Sequence, residues 1–136
     1  MSEQNKILAR RFYDEILNGR KMEVADEILS PQYVDHSAAA PGLESFKQYL
    51  AIITSVFPDI EVTVEEMIVE GDKVAVHLTI HGTQLGSFRG FLPMDKQATW
   101  TGMDIIHISN GKITERWSER DFLDMLRQLG HVHYPK

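Results

Sequence analysis

The order of apolar and polar positions divides the chain into a helical first part and a strand-rich second part. Over the first 57 residues, apolar side chains recur at spacings of three and four, which is the period of an amphipathic helix. The pattern predicts three helices in this part. Because glycine and proline favour helix ends, we expect them to end near Gly19, Pro31 and Pro58.

After Pro58 the apolar period changes to two, as in strands with one buried face. Strands are predicted over 60–65, 74–81, about 97–108 and about 112–119, with a long connection at 82–95. Asn110 and Gly111 between the last two strands indicate a hairpin. A closing helix is expected from about Asp121 to Leu129. Helices followed by hairpin-linked strands indicate an α+β fold with an antiparallel sheet, and residues 1–136 are expected to form one domain.

Composition and charge exclude several classes of protein. The 136-residue chain has a net charge of −6, which argues against a nucleic-acid binder because that function needs a basic face. No apolar run approaches the roughly 20 residues that span a bilayer, so no membrane segment is expected. The chain has no cysteine, which excludes disulfides and thiolate zinc sites. The polar, amphipathic start lacks a signal-peptide core, and we expect a cytoplasmic protein.

A curved sheet with helices across its concave side often leaves a cavity, and the mixture of interior residues suits a small-molecule site or an ordinary core. Alternation places His107 on one face of the 97–108 strand, together with Met103 and Ile105. His107 is therefore either a core histidine bonded to the backbone or a pocket histidine that exchanges protons.

Asp121 stands where the last predicted strand meets the last predicted helix. Aspartate is a favoured N-cap, so a capping role is one interpretation. The other is a general base at the end of the sheet, under apolar cover from Trp117. Asp35 and His36 lie in a stretch expected to be irregular, and each is either a surface group or a residue that points into the pocket.

No cofactor or metal is expected. His77 and His81 lie about 13 Å apart by strand rise and cannot chelate one ion. The chain contains neither a glycine-rich phosphate loop nor the Gly-x-Ser-x-Gly motif of a nucleophilic serine.

A series of short motifs spans nearly the whole chain and resembles the SnoaL-like polyketide cyclases, also called the ester cyclase group. The motifs are Tyr33-Val34-Asp35-His36, Phe57-Pro58-Asp59-Ile60, Gly71-Asp72-Lys73-Val74, Gly82-Thr83, Gly86, Gly90, Pro93, Gly111-Lys112-Ile113-Thr114-Glu115, Trp117 with Asp121 four residues later, and Gln128-Leu129-Gly130.

The resemblance implies a cone-shaped fold of the nuclear transport factor two superfamily, with a curved antiparallel sheet packed against N-terminal helices. It implies homodimers or homotetramers built on the sheet's outer face. It also implies an intramolecular aldol cyclisation of a small apolar carbonyl substrate, without cofactor or metal. In that chemistry Asp121 would remove the proton from carbon, His107 would help hold the enolate, and His36 would assist from a loop. The residues expected to contact substrate are Trp117, Tyr13, Phe12, Met103 and Glu119.

Three functions remain open from the sequence. The first is a cyclase or isomerase that removes a proton beside a carbonyl. The second is a hydrolase or dehydratase in which Asp121 and His107 act as a pair on water or on a leaving group. The third is a non-catalytic ligand-binding or dimerisation module, in which Asp121 is only a helix cap and His107 only a core residue.

Overall fold

Helices occupy most of the first part of the chain and strands the second, as the apolar pattern predicts. The structure is a computed structural model that describes residues 2–133 and Pro135. In chain order the elements are α1 (Ser2–Arg11), π1 (Phe12–Asn18, a π-helix), α2 (Met22–Ile28), β1 (Leu29–Asp35), α3 (Leu43–Val56), β2 (Glu61–Glu70), β3 (Lys73–Thr83), β4 (Gln97–Ser109), β5 (Lys112–Arg120) and α4 (Phe122–Gln128).

The strands form one sheet in the order β1-β5-β4-β3-β2. Three of the four pairings are antiparallel, and β1 pairs with β5 in parallel. The hairpin expected at Asn110 and Gly111 is confirmed, because both residues have positive φ (53° and 74°) as a two-residue type I′ turn requires. The α+β class is likewise confirmed. No helix in the described ranges is both long and apolar enough to cross a membrane.

The strand β1 is a correction to the sequence prediction, which expected an irregular stretch around Tyr33–His36. The main chain of this segment pairs with β5, and the pairing continues to His36, whose N–H donates to Arg116 O at 3.0 Å. Because β1 lies at the edge of the sheet, it tolerates Pro31, which lacks a donor. Tyr33 and Asp35 alternate inward along β1.

The first predicted helix changes its winding at Phe12 and continues as π1. Its last turn is closed by the Gly19 N–H, which donates to Asp14 O at 2.9 Å. A Cβ at position 19 would lie 2.8 Å from Glu15 O, so this close turn requires glycine. The Asn18 side chain then exchanges two hydrogen bonds with the main chain of Val62, at 2.8 and 2.7 Å, which fixes π1 against β2.

The core lies between the helices and the concave face of the sheet. On β4 the buried side chains alternate with exposed ones, and the buried set is Ala98, Trp100, Gly102, Asp104, Ile106 and Ile108. The sequence prediction separated these two faces correctly. It expected the pocket on the other face, however, with His107 and Met103. That face lies outside the cone, because the helices cover the face of Trp100.

Candidate functional site

A buried cluster of charged side chains closes the base of the cone, and Asp104 is its centre. The Asp104 carboxylate accepts hydrogen bonds from the Tyr13 hydroxyl at 2.6 Å and from Arg116 Nε at 2.9 Å. Its second oxygen accepts from Arg120 Nη1 at 2.6 Å. Tyr13 reaches this carboxylate from π1, so the change in helix winding contributes directly to the cluster.

Asp35 extends the cluster to the edge strand β1. It accepts hydrogen bonds from Arg116 Nη1 at 2.6 Å, from the Tyr33 hydroxyl at 2.7 Å and from the Ser37 main chain at 2.9 Å. Arg116 thus bridges the two carboxylates, and its guanidinium lies 4.9 Å from the centre of the Phe12 ring. The side chains of Arg116 and Asp35 are 3% and 0% exposed, so water contributes almost nothing to their pairing.

The charges of the cluster set its protonation state. Burial by itself would raise the pKa of Asp104, but the positive charges of Arg116 and Arg120 outweigh burial and hold that pKa well below its usual range. Burial raises the pKa values of Tyr13 and Tyr33, and the adjacent carboxylates raise them further. Asp104 is therefore an ionised acceptor and a weak base, and both phenols act as hydrogen-bond donors.

An apolar cavity of about 70 Å³ lies directly above this cluster. Its walls come from α3, the inner faces of β3 and β4, and the start of α4, with Leu50, Ile80, Trp100 and Phe122 among the lining residues. Arg116 and Arg120 also line it. The cavity is thus an apolar space with two guanidinium groups at its charged end.

Arg120 offers donors to a bound molecule. Its Nη1 and Nη2 contact Asp104, while its Nε contacts no acceptor among the described residues. Ser118, which pairs with Asp104 across the β4–β5 ladder, has a buried hydroxyl without a hydrogen-bond partner in the described part of the chain. The Arg120 Nε, fixed at the charged end of the cavity, suits a carbonyl or enolate oxygen.

A second hollow of about 330 Å³ adjoins the cavity on its outer side. The walls of this outer groove are formed by residues 37–39, α3 and residues 87–89. Tyr49, Ile53, Phe88 and Phe122 line both spaces, so the cavity and the groove adjoin at these four side chains.

Asp121 lies outside the cavity. It is exposed, and its carboxylate accepts from the Asp124 main chain at 3.1 Å as the N-cap of α4. The capping interpretation is therefore confirmed. Asp121 does adjoin the site in sequence, because its neighbours Arg120 and Phe122 both line the cavity.

His107 lies on the outer face of the sheet, and its Nε2 is 2.8 Å from Asp72 Oδ2. This contact, foremost its hydrogen bond, lowers the pKa of Asp72. The Asp121 main chain is bonded to Thr101, six residues from His107 along β4, which corresponds to about 20 Å of strand. The expectation that Asp121 and His107 meet in one hollow is therefore wrong. Their catalytic roles stay predictions, which turnover measurements test.

His36, Trp117, Met103 and Glu119 also lie outside the cavity. His36 stacks on Trp117 with ring centres 4.9 Å apart, and its Nε2 is 2.6 Å from Glu115 Oε2. Trp117, Met103 and Glu119 are outward positions on β5 and β4. Their side chains are directed away from the cone because strand alternation assigns them to the face opposite Trp100.

Phe12 and Tyr13 are fully buried, Phe12 against Arg116 and Tyr13 as a member of the cluster, and neither lines the cavity. The residues that sequence reasoning missed are Asp104, Arg116 and Arg120. Asp104 carried a usable signal, since it alternates with Trp100 and Ile106 on an apolar face. Alternation along the sequence gave no such signal for Arg116. An extra residue in β5, Thr114, shifts the pairing with β4 at His107–Ile108, so Ile113 and Arg116 are both buried although their spacing is odd.

Among the described residues no three histidine, aspartate or glutamate side chains lie close enough together to hold a metal ion. The charged side chains that line the cavity in the described part of the chain are Arg116 and Arg120, whose N–H groups donate to oxygen acceptors and do not ligate metals.

Comparison with known proteins gives a family and close structural relatives. The family model described as SnoaL-like polyketide cyclase matches residues 7–129. Aklanonic acid methyl ester cyclase DnrD from Streptomyces peucetius is 27% identical over 129 residues, covering 90% of this chain and 88% of the relative. The cyclase DauD of the same description, from Streptomyces sp. (strain C5), is also 27% identical, over 90% of this chain and 80% of the relative. The solved structure of TsrD from Streptomyces laurentii superposes with a TM-score of 0.87 at 26% identity, over 97% of this chain and 98% of that one.

Proposed function

The chain belongs to the SnoaL-like polyketide cyclase family, and from this premise we propose that it closes a carbon ring in a small, mainly apolar carbonyl compound by intramolecular aldol addition, without a cofactor. The observation that carries the proposal is an apolar cavity with the guanidinium groups of Arg116 and Arg120 at one end. This combination provides apolar walls for the carbon skeleton and fixed cationic donors for an oxygen that gains negative charge.

In an aldol cyclisation a proton leaves the carbon beside a carbonyl, and the resulting enolate attacks a second carbonyl in the same molecule. A proton then returns to the new alkoxide, so the product has the mass of the substrate. Arg116 and Arg120 are held in place by Asp104 before substrate arrives, so they stabilise the enolate without reorganisation. The apolar walls fold the substrate so that its two reacting carbons lie close together.

Proton removal restricts the substrate class. Asp104 is held ionised by its donors and is a weak base, and no carboxylate and no imidazole lines the cavity within the described residues. Stabilising the enolate is therefore the main contribution of the pocket. A substrate with two carbonyls flanking the reacting carbon suits this pocket, because such a carbon is acidic enough to lose its proton to a base in solution. Asp121, His107 and His36 stay sequence predictions for this step.

Aklanonic acid methyl ester is the first compound to test, because two relatives are named for their action on it. Turnover is followed as a change in absorbance together with a chromatographic product of unchanged mass. We expect Arg120→Gln to lower kcat/KM about 100-fold, the loss usual for one oxyanion donor. Arg10→Gln, the same change at an exposed position of α1, should retain full turnover. Equal turnover in both variants would overturn the assignment.

Ligand binding without catalysis is the second candidate, favoured by the absence of a carboxylate or imidazole in the cavity lining among the described residues. Trp100 lines the cavity and reports binding through its fluorescence. Saturable quenching by the ester without formation of a product would favour this function over the cyclase.

We further propose that the active form is a homodimer or homotetramer in the cytoplasm, with copies joined through the outer face of the sheet. Ile68, Ile105 and Trp117 lie in one row across β2, β4 and β5, joined through Ala75 on β3, and all three side chains are exposed. An apolar row of this kind marks an association surface.

A further inference from the structure

The outer groove is large enough for a part of the substrate that the cavity cannot hold. The cavity measures about 70 Å³, whereas ligand pockets usually exceed about 300 Å³. The groove reaches that size, with about 330 Å³. Because the two spaces share Tyr49, Ile53, Phe88 and Phe122, a molecule that places one carbonyl at Arg120 extends naturally into the groove.

Arg89 supplies the one cation that lines the groove within the described residues. Its guanidinium lies 5.2 Å from the centre of the Phe88 ring and 5.3 Å from that of Phe122. No carboxylate of the described chain pairs with it, in contrast to Arg116 and Arg120. Stacking on two rings leaves its N–H edge available for a ligand.

The backbone at Arg89 indicates that its charge has a use. Arg89 and Gly90 have positive φ (48° and 86°), and Phe88 and Phe91 exchange main-chain hydrogen bonds at 2.9 and 2.8 Å across the turn. A left-handed conformation is strained for a residue that bears a side chain, and asparagine or glycine is the usual choice there. The turn itself gains nothing from arginine at this position.

The turn at residues 88–91 is also held firmly enough to position the Arg89 side chain for a ligand. Gln84, which is fully buried, donates through Nε2 to Gly86 O at 3.0 Å and to Phe91 O at 3.1 Å. Its carbonyl oxygen lies 2.6 Å from His131 Nε2, which links the hairpin to the segment after α4.

We propose that the outer groove is a second binding subsite, in which Arg89 pairs with a carboxylate carried by the substrate at the end opposite the reacting carbonyl. The inference rests on the proposed function for the identity of the inner end, and it adds a substrate class: an apolar carbonyl compound that bears a free acid. The methyl ester of the turnover test lacks this acid, so it probes the inner end alone. The groove's apolar walls, among them Ala38, Ile52 and Val56, contact the carbon skeleton between the two ends. Since the whole chain carries a net charge of −6, recruiting an anion requires such a local cation.

Anthraquinone-2-carboxylate and its methyl ester test this subsite, because they share one apolar carbonyl skeleton and differ in charge. Dissociation constants are measured by quenching of tryptophan fluorescence at low salt. We expect the acid to bind about tenfold more tightly than the ester, as one charge-assisted contact provides. In Arg89→Asn the acid should lose this advantage while the affinity for the ester stays within twofold. Arg89→Lys should retain part of the advantage.

Asparagine tolerates the left-handed turn, so Arg89→Asn should fold, and an unchanged thermal midpoint checks this. An acid advantage absent from the native protein, or undiminished in Arg89→Asn, overturns the inference. The inference is also overturned if the acid loses its advantage over the ester only in Arg120→Gln, since the carboxylate would then bind in the cavity. The binding measurement needs no turnover, so the two proposals can fail separately. If the acid binds more tightly in an Arg89-dependent way but the turnover assay shows no cyclisation, the cyclase proposal is wrong and the subsite stands. If the turnover assay shows cyclisation but the acid has no advantage, the subsite is wrong and the cyclase proposal stands.

Discussion

Asp104 determines the chemistry at the base of the cone, because its single carboxylate orients both arginines and one tyrosine. Removing its charge while keeping its shape would leave Arg116 and Arg120 with too few acceptors in a water-poor space. The burial of the cluster makes this costly, since a buried ion that loses its partner is poorly solvated.

Asp104→Asn should lower the free energy of unfolding at pH 7 by about 3–5 kcal/mol, measured by urea denaturation. Because the folded pKa of Asp104 is lowered, its contribution is present above the unfolded pKa of about 4 and is lost as pH falls towards the folded pKa. The difference between native and variant proteins should therefore shrink below pH 4. Asp72→Asn, at an exposed carboxylate in contact with His107, should change the free energy of unfolding far less. An equally small effect at position 104 would contradict the role of the cluster.

Asp121 allows a second test at a single residue, because capping and catalysis predict different results. Asparagine caps helices as well as aspartate does, whereas alanine loses about 1 kcal/mol. We expect Asp121→Ala to lower the thermal midpoint and Asp121→Asn to leave it unchanged, with kcat within about threefold in both, since the carboxylate lies outside the cavity. A loss of turnover of orders of magnitude in Asp121→Asn, with stability intact, would establish this residue as the base.

Among the elements, π1 and β5 show which features the sequence pattern can and cannot predict. Helical periodicity through Leu17 predicted a helix there, but not that a wider winding would turn Tyr13 towards Asp104. Alternation along β4 predicted its two faces correctly. In β5 the extra residue Thr114 breaks the alternation, so the inward position of Arg116 follows only from the paired structure. The core and hairpins were therefore predictable, whereas most of the charged cluster was not.

The contact between π1 and β2 gives a prediction at the element scale. Asn18 substitutes for a neighbouring strand by pairing with both main-chain groups of Val62, which lines the cavity. Asn18→Ala leaves those groups without partners and should lower the free energy of unfolding by about 1–3 kcal/mol. The Val62 amide should also exchange hydrogen faster. Asn5→Ala removes one 3.3 Å surface bond to Gly71 and serves as a control expected to change little. Slow exchange at Val62 in the Asn18 variant would contradict this role.

For the whole molecule, the two faces of one sheet carry different groups. The inner face carries the cluster and the cavity. The outer face carries the residues that the sequence pointed to as catalytic or substrate-binding, among them His107, Met103 and Trp117. Apolar side chains stand on both faces of β4, and that ambiguity is why the pattern alone assigned the pocket to the wrong side.

The exposed apolar side chains of the outer face lead to the last prediction, which is that self-association depends on Ile105. This side chain lies at the centre of the exposed row, in which Ile68, Ile105 and Trp117 are exposed by 61%, 46% and 40%. Two copies of a chain with net charge −6 repel each other, so association must come from burying this apolar surface in a symmetric interface. Ile105→Glu places like charges opposite each other there and should convert the oligomer to monomer in sedimentation velocity at micromolar concentration. Ile7→Glu, at a side chain that is 58% exposed on α1, should sediment as the native protein does, and a native monomer would refute the interface.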